Sequence, residues 1–153
     1  MSLNKRSLRQ SAIMSDISPT GNDIINLVSA HKAMVSGEIR KLHLYPGQEL
    51  LLLAIYEKQP CSQNELVQHL CLDHATIATS VARLEKANLV LRERSSQDRR
   101  VVILKLTPYG SKKVKAVTKI LSSAENRMTQ NLSTKDRQEF SRITNIIVNN
   151  LPK

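Results

Sequence analysis

The chain of 153 residues is poor in aromatic residues and in glycine. It holds no Trp, one Phe and three Tyr, so few side chains are available to wall an aromatic ligand pocket. With only four Gly, it contains no G-x-G-x-x-G, P-loop or G-x-S-x-G motif, and it lacks H-E-x-x-H as well. The sequence therefore gives no support to an enzyme, and we expect no cofactor.

Long apolar runs are also missing. No stretch approaches the roughly 20 apolar residues that a membrane-spanning helix needs, and no apolar signal segment with a small-residue cleavage site opens the chain. Cys61 and Cys71 are too few for a disulfide scaffold and are expected to be free thiols. These features predict a cytoplasmic protein that has no membrane partner.

Acidic residues are outnumbered by basic ones. The 23 Lys and Arg against 13 Asp and Glu give a formal charge of +10, which favours a polyanion such as nucleic acid or an anionic membrane surface. A membrane-surface helix needs a basic face opposite a bulky apolar face. Here the basic residues concentrate near the N-terminus and around residues 92–100 instead. Nucleic acid is therefore the favoured partner.

The first third of the chain predicts a tail and two helices. Residues 1–19 are expected to form a flexible basic arm, which either contacts DNA or stays solvated. Residues 22–43 have the 3.6-residue apolar period of an amphipathic helix. Its apolar positions are Ile24, Leu27, Val28, Val35, Ile39 and Leu42. Pro46-Gly47 breaks the chain, and residues 48–58, apolar on most sides, predict a buried helix.

Two capping motifs after Pro60 predict a pair of short helices. Ser62 and Glu65 have the spacing of a capping box, so a helix is expected to start at Ser62. Asp73 supplies the next N-cap, for a helix over residues 74–87. A tight turn between two short helices is typical of a helix-turn-helix.

The second of these helices has two distinct faces. Ile77, Val81 and Leu84 recur at helical spacing and are expected to face the core. The opposite face carries Ala75, Thr76, Thr79, Ala82, Arg83 and Lys86. Small and hydroxyl side chains that end in a cation suit close approach to a DNA groove, because bulky or acidic residues would clash with it or repel phosphate.

The remaining segments predict a hairpin and two long helices. Residues 89–94 and 101–106 are rich in Val, Leu and Ile and flank a polar tip, which predicts a β-wing. Thr107-Pro108 starts a helix that ends near residue 131, and Ser133 caps a last helix that ends near residue 150. These apolar-striped helices exceed what a small core needs, so we expect them to form a dimerisation layer.

The fold class predicted from these segments is mainly α with a small β-wing. It is a winged helix-turn-helix to which terminal dimerisation helices are added. We expect a single domain over residues 20–153. In it, residues 20–44 and 108–151 form the dimerisation helices, and residues 45–107 form the DNA-binding lobe.

The order and spacing of several short motifs resemble the MarR family of bacterial regulators, named for multiple antibiotic resistance. The matching residues are Leu72-Asp73, Arg83-Leu84-Glu85-Lys86, Leu89-Val90, Asp98-Arg99-Arg100, Leu106-Thr107 and Gly110. Leu44, Pro46 and Gln48 also lie where the family has a Leu-Thr-x-x-Gln turn, with Tyr45 in place of Thr. Asn88 replaces the usual Gly, which the left-handed tolerance of Asn permits. The resemblance covers residues 22–150 in element order.

The resemblance implies a homodimeric transcriptional regulator, which we expect to be a repressor. Its two winged helices would bind successive major grooves of a pseudopalindromic operator, with half-sites about 34 to 36 Å apart. The recognition helix 74–87 would enter the major groove of double-stranded DNA, and the wing, residues 95–100, would meet the minor groove. The alternative is a winged helix that serves as a protein–protein interaction module or an antirepressor, because a fold does not fix a function.

The DNA contacts expected on the recognition helix follow from its polar face. They are His74, Ala75, Thr76, Thr79, Arg83 and Lys86. The free N–H groups at the helix N-terminus favour a phosphate near His74 and Ala75. Thr76 and Thr79 would reach bases or phosphate, and Arg83 is the best candidate for bidentate contact with a guanine edge.

The wing is expected to use arginine in the minor groove. Either Arg99 or Arg100 would enter it, since narrow A·T tracts strengthen its negative potential. Arg94 is expected to meet phosphate. The resemblance gives Asp98 the role of bracing the wing through an ion pair, with Arg92 or Arg100 as its partner.

The resemblance also implies a small aromatic or anionic effector. It would bind in the cleft between the dimer layer and the DNA-binding lobe, and His31, Val35 and Tyr45 are the candidate lining residues. This is one of three inputs considered for the regulator.

Thiol oxidation and metal binding are the other two inputs, and both are disfavoured. Peroxide-sensing members of the family place a reactive Cys near the first helix, whereas residues 1–60 contain none. His69, Cys71, Asp73 and His74 are ligand types packed into one short stretch, but they lack an established zinc spacing. We therefore expect no metal site.

Overall fold

The computed structural model describes residues 16–96 and 99–152. Its elements in chain order are α1 (Pro19–Lys41), α2 (Gln48–Lys58), β1 (Cys61–Ser62), α3 (Gln63–Leu70), α4 (His74–Lys86), β2 (Val90–Arg94), β3 (Val102–Leu106), α5 (Pro108–Met128) and α6 (Thr134–Asn150). A small antiparallel sheet and the helices α2 to α4 form a winged helix-turn-helix, and long helices precede and follow it. The predicted fold class is confirmed.

Local capping sets where the helices begin. The Ser62 hydroxyl accepts from the Glu65 N–H, and the Glu65 carboxylate accepts from the Ser62 N–H at 2.7 Å, which completes the predicted capping box. Asp73, Thr107 and Ser133 cap α4, α5 and α6 in the same way through side-chain oxygens. The start of α1 differs from the prediction, because Pro19 already occupies the first turn of the helix. Of the predicted N-terminal arm, residues 1–15 lie outside the described residues.

The sheet contains one strand more than the predicted hairpin. β2 and β3 pair antiparallel, with Val90 opposite Leu106. On the other side of β3, the two-residue β1 pairs Cys61 with Leu104. The prediction of a two-stranded hairpin is therefore incomplete. Two residues are too few to show the alternation by which a strand is recognised, and Ser62 doubles as the N-cap of α3.

The hydrophobic core lies where α2, α3 and α4 meet the sheet and α5. Its fully buried side chains include Leu52, Ile55, Leu66, Ile77, Val81, Leu84, Leu104 and Val117. All three side chains predicted to face inward from α4 are among them. At the other end of the core, Val35 and Ile39 of α1 are buried. The C-terminal half of α1 thus belongs to the core.

The N-terminal half of α1 and the whole of α6 leave apolar side chains uncovered. Ile24, Leu27 and Val28 remain 43%, 49% and 57% exposed, although they continue the stripe that buries Val35. On α6, Phe140 is 57% exposed, and every residue of the helix is at least partly exposed. Apolar faces of this extent are typical of interaction surfaces.

Hydrogen bonds join the start of α5 to the residues that follow α4. The Thr107 hydroxyl donates to the Asn88 carbonyl oxygen at 2.7 Å and accepts from the Gly110 N–H at 2.9 Å. Asn88 itself has the predicted left-handed conformation, with φ of 55°. A Cβ on Gly110 would overlap the carbonyl oxygen of Leu89. Gly110 is therefore required for the close approach of α5 to the chain that leaves α4.

Gly110→Ala should lower the free energy of unfolding by about 1–3 kcal/mol, because the added methyl group meets backbone that cannot move aside cheaply. Urea denaturation at one protein concentration measures the change. Gly37→Ala is the matched control, since nothing lies within 4 Å of the position of its Cβ. Alanine in place of this helical glycine should stabilise by up to about 1 kcal/mol. Equal effects of the two substitutions would contradict the close approach at Gly110.

Candidate nucleic-acid interface

The outer face of α4 gathers most of the residues that the sequence assigned to DNA. Ile77, Val81 and Leu84 are buried, so the opposite side of the helix faces solvent. A shallow groove on that side is lined by Ala75, Thr76, Thr79, Ser80 and Arg83. Four of these were predicted. Ser80 was missed, although its hydroxyl lies one helical turn beyond Thr76, on the edge between the buried and exposed faces.

The N-terminus of α4 carries the predicted Asp73 cap, next to the place expected for a phosphate. Asp73 accepts from the Thr76 N–H at 2.8 Å and from the Thr76 hydroxyl at 2.6 Å. These hydrogen bonds hold the pKa of Asp73 below its usual range. His74 and Ala75 stay exposed, but the helix N-terminus is already capped by a negative charge. The Thr76 hydroxyl, whose proton is donated to Asp73, can offer DNA only its oxygen lone pair and its methyl group.

Asp73→Ala should lower the denaturation midpoint at neutral pH, while Asp73→Asn should largely preserve it, because Asn caps a helix as well as Asp does. The pKa of Asp73 is lower in the folded chain than in the unfolded chain. Its stabilisation is therefore fully present above the unfolded pKa of about 3.9 and is lost as pH falls through the folded value. The gap between wild type and Asp73→Ala should therefore narrow as pH falls through the folded pKa of Asp73. A gap independent of pH would contradict this cap.

Arg83 and Lys86 extend the exposed face towards the turn between α1 and α2. The guanidinium carbon of Arg83 lies 6.0 Å from the centroid of the Tyr45 ring. Tyr45, Arg83, Lys86 and Ala87 line one crevice. Tyr45, which the sequence assigned to an effector site, therefore lies beside the predicted DNA-reading arginine.

The described part of the wing has one side-chain hydrogen bond within the hairpin and one ion pair to α4. Arg94 Nη1 donates to the carbonyl oxygen of Arg99 at 2.9 Å, across the base of the hairpin tip. Arg92 Nε forms an ion pair with Glu85 Oε2 of α4 at 2.8 Å. Arg92, one of the two partners predicted for Asp98, thus pairs with Glu85. Asp98 lies outside the described residues, so its bracing role stays a prediction.

A polar depression separates the wing from the start of α3. Arg92 and Arg100 contribute to its lining. The other lining residues are Ser62, Gln63, Asn64, Val101 and Val102. The N-terminal turn of α3 was not among the predicted site residues, because its sequence shows only a capping box. Its place beside the two arginines depends on the pairing of β1 with β3.

Of the three predicted effector residues, His31 and Val35 lie one turn apart on α1 but line different pockets, and Tyr45 lies elsewhere. His31 lines an apolar pocket of about 350 Å³ between α1, the end of α5 and α6. Val35 lines a different pocket, of about 500 Å³, together with Lys119 and Arg127 of α5. Tyr45 lies beside α4. The structure therefore does not bring His31, Val35 and Tyr45 together in one cleft, and effector control stays a prediction of the family resemblance.

The two cysteines differ in their surroundings. Burial raises the pKa of Cys61 to about 11, so it is a thiol rather than a reactive thiolate at neutral pH. Cys71 is exposed in the left-handed turn after α3. Across residues 16–96 and 99–152, no group of three or more His, Cys, Asp and Glu is placed to hold a metal ion. Over the same ranges, no helix is both long and apolar enough to span a membrane.

Comparison with known proteins identifies the winged unit. Residues 44–102 match the model of the MarR family. MgrA of Staphylococcus aureus, an HTH-type transcriptional regulator, is 28% identical over 111 residues, which cover 71% of this chain and 73% of MgrA. The winged unit of this chain is thus similar to the MarR family. The family resemblance seen in the sequence is confirmed, and the matched segment holds α2, α3, α4 and the wing.

Solved structures extend the likeness beyond the winged unit. S. aureus MepR in complex with DNA superposes with a TM-score of 0.79 at 21% identity, covering 86% of this chain and 98% of MepR. A mutant of E. coli MarR complexed with operator DNA gives a TM-score of 0.77 at 20% identity, covering 91% of this chain and 98% of that one. At such identities the likeness shows a shared fold. Its coverage means that the long helices outside residues 44–102 belong to that MarR-family fold.

Proposed function

We propose that this protein is a cytoplasmic, homodimeric transcriptional repressor of the MarR family, not an enzyme, and that it binds double-stranded DNA sequence-specifically. The observation that supports this most is the outer face of α4, where Ala75, Thr76, Thr79 and Arg83 line one exposed groove. MepR and the E. coli MarR mutant, which share the fold, are bound to DNA in their structures. Residues 45–107 are the proposed DNA-binding lobe.

The proposed binding mode places α4 in the major groove. Small and hydroxyl side chains at its N-terminal end permit close approach, and Thr methyl groups suit contact with thymine. Arg83 offers the planar fork of N–H groups that matches O6 and N7 of guanine. Lys86, one turn further on, is suited to a phosphate.

The wing would meet the adjacent minor groove through Arg99 or Arg100. A freely moving tip would lose side-chain and backbone entropy on insertion. The hydrogen bond from Arg94 to the Arg99 carbonyl restrains that tip before DNA arrives. Arg94 therefore supports the wing from within, and its positive charge suits the predicted phosphate contact.

Dimerisation would be supplied by residues 20–44 and 108–151. The uncovered apolar faces of α1 and α6 would be buried by the same faces of a second copy, since a two-fold interface is self-complementary. Two recognition helices related by that axis would then fit half-sites about 34 to 36 Å apart.

Selection of bound sequences from a random duplex pool tests the function directly. A regulator of this kind should enrich one pseudopalindrome with two half-sites. A winged helix that serves as a protein–protein module or antirepressor should show only weak, salt-sensitive binding to every duplex. Absence of any enriched sequence would overturn the proposal.

Arg99→Ala combined with Arg100→Ala should weaken operator binding and flatten its salt dependence. The logarithmic salt slope should fall by about 1 for each phosphate that the variant no longer neutralises. Fluorescence anisotropy across a salt titration measures both quantities. Lys135→Ala with Arg142→Ala removes the same charge from α6 and should leave the slope unchanged. An unchanged affinity and slope in the wing variant would remove the wing from the interface.

Ile143→Glu should convert the dimer to a monomer at micromolar concentration, because it would bury a carboxylate in the interface proposed for α6. Sedimentation velocity reports the mass, and operator affinity should fall with it. Asn145→Glu adds the same charge on the opposite side of the helix and should remain dimeric. A dimer that tolerates Ile143→Glu would place the interface elsewhere.

A further inference from the structure

We propose that Tyr45 is a positioning residue that presents Arg83 to DNA and thereby sharpens the base preference of Arg83. This inference rests on the proposed role of α4 as the recognition helix. The Arg83 guanidinium carbon lies 6.0 Å from the centre of the Tyr45 ring, within the range of a cation–π contact. Tyr45 is 66% exposed, so its ring is a surface feature and not a part of the core.

The backbone of Tyr45 is held by its neighbours in the turn before α2. Its N–H donates to Gln48 Oε1 at 2.9 Å, and its carbonyl oxygen accepts from the Gln48 N–H at 3.0 Å. Gln48 is buried, as is Leu44 on the other side of Tyr45. The exposed ring therefore projects from a fixed turn, as a support for an arginine needs to do.

Stacking restrains an arginine without using its hydrogen-bonding edges. A guanidinium that faces an aromatic ring keeps its N–H groups in the plane of the fork, where the ring does not engage them. Those are the groups that bidentate contact with guanine requires. An unsupported Arg side chain would lose more rotamer freedom on docking, so the ring lowers the entropic cost of reading a base.

Lys86 shares the crevice but does not have the same role. The ring contact is to Arg83, and an ammonium group is a point charge without the planar fork that matches a base edge. The ring of Tyr45 therefore favours the residue on α4 that is best suited to base readout. A threonine, which the resemblance places at this position in the family, offers no such face.

The test measures operator affinity for Tyr45→Phe, Tyr45→Leu, Arg83→Ala and the double variant Tyr45→Leu with Arg83→Ala. The duplexes are the selected operator and its single-base-pair variants. Tyr45→Leu, which keeps apolar volume but removes the ring, should weaken the selected operator about two- to fivefold. Discrimination should fall only at the base pair that Arg83 reads. Tyr45→Phe should behave as wild type.

The double-mutant cycle separates positioning from a general structural role. In the Arg83→Ala background, Tyr45→Leu should have no further effect. The salt slope of Tyr45→Leu should equal that of wild type, because both neutralise the same phosphates. Thermal denaturation confirms that each variant folds, as expected for an exposed side chain.

Four outcomes would overturn the inference. A loss in Tyr45→Phe equal to that in Tyr45→Leu would mean that the hydroxyl contacts DNA itself. Tighter operator binding by Tyr45→Leu would mean that the ring holds Arg83 away from DNA. A loss of affinity that is equal for all duplexes and persists in the Arg83→Ala background would mean that Tyr45 has a structural role. If Arg83→Ala still discriminated between base pairs as wild type does, Arg83 would not read a base, and Tyr45 could not act through it. Failure of wild type to prefer any sequence would instead overturn the proposed function.

Discussion

The orientation of α4 depends on the burial of Ile77, Val81 and Leu84, each at most 1% exposed. Burying an aliphatic side chain of this size stabilises by about 1.5–3 kcal/mol. Rotating the helix to present another face would expose all three at once. The outward direction of Thr76, Thr79 and Arg83 is therefore fixed by the core beneath them. The polar face needs no further interaction to stay at the surface.

The contacts that join the wing to α4 determine the relative position of the two elements more than they stabilise the fold. The Glu85 and Arg92 side chains remain 43% and 35% exposed, and an ion pair in such surroundings contributes about 1 kcal/mol at most. It nevertheless joins the end of α4 to the first strand of the wing. Together with the bond from Arg94 to the Arg99 carbonyl, it sets the distance between two elements that would enter neighbouring grooves. Removing either interaction would change how α4 and the wing are placed on DNA more than it would lower the free energy of unfolding.

What the sequence predicts well is local, and what it misses is set by pairing between distant segments. Ser62, Asp73, Thr107 and Ser133 cap their helices as predicted, because a cap depends on residues within one turn. The β1 strand escapes prediction, since the strand with which it pairs, β3, lies about 40 residues further along the chain. The effector residues were grouped by the family resemblance, whereas in the structure His31 and Val35 of α1 line different pockets and Tyr45 lies beside α4. The contact between Tyr45 and Arg83 also joins the turn before α2 to the helix α4, and no periodicity in the sequence connects the two.

The helices farthest in sequence from the wing, α1 and α6, would act on DNA binding through the proposed dimer. One winged unit makes a limited number of contacts with DNA, so its affinity alone is modest. When a second unit is held on the same duplex, its binding becomes intramolecular, and overall affinity rises without any new contact at the first. The apolar side chains that α1 and α6 leave uncovered would supply that connection. Changes at these faces would alter operator affinity although the faces lie outside the proposed DNA-binding lobe. A molecule that tilted one winged unit against the other would act through the same connection.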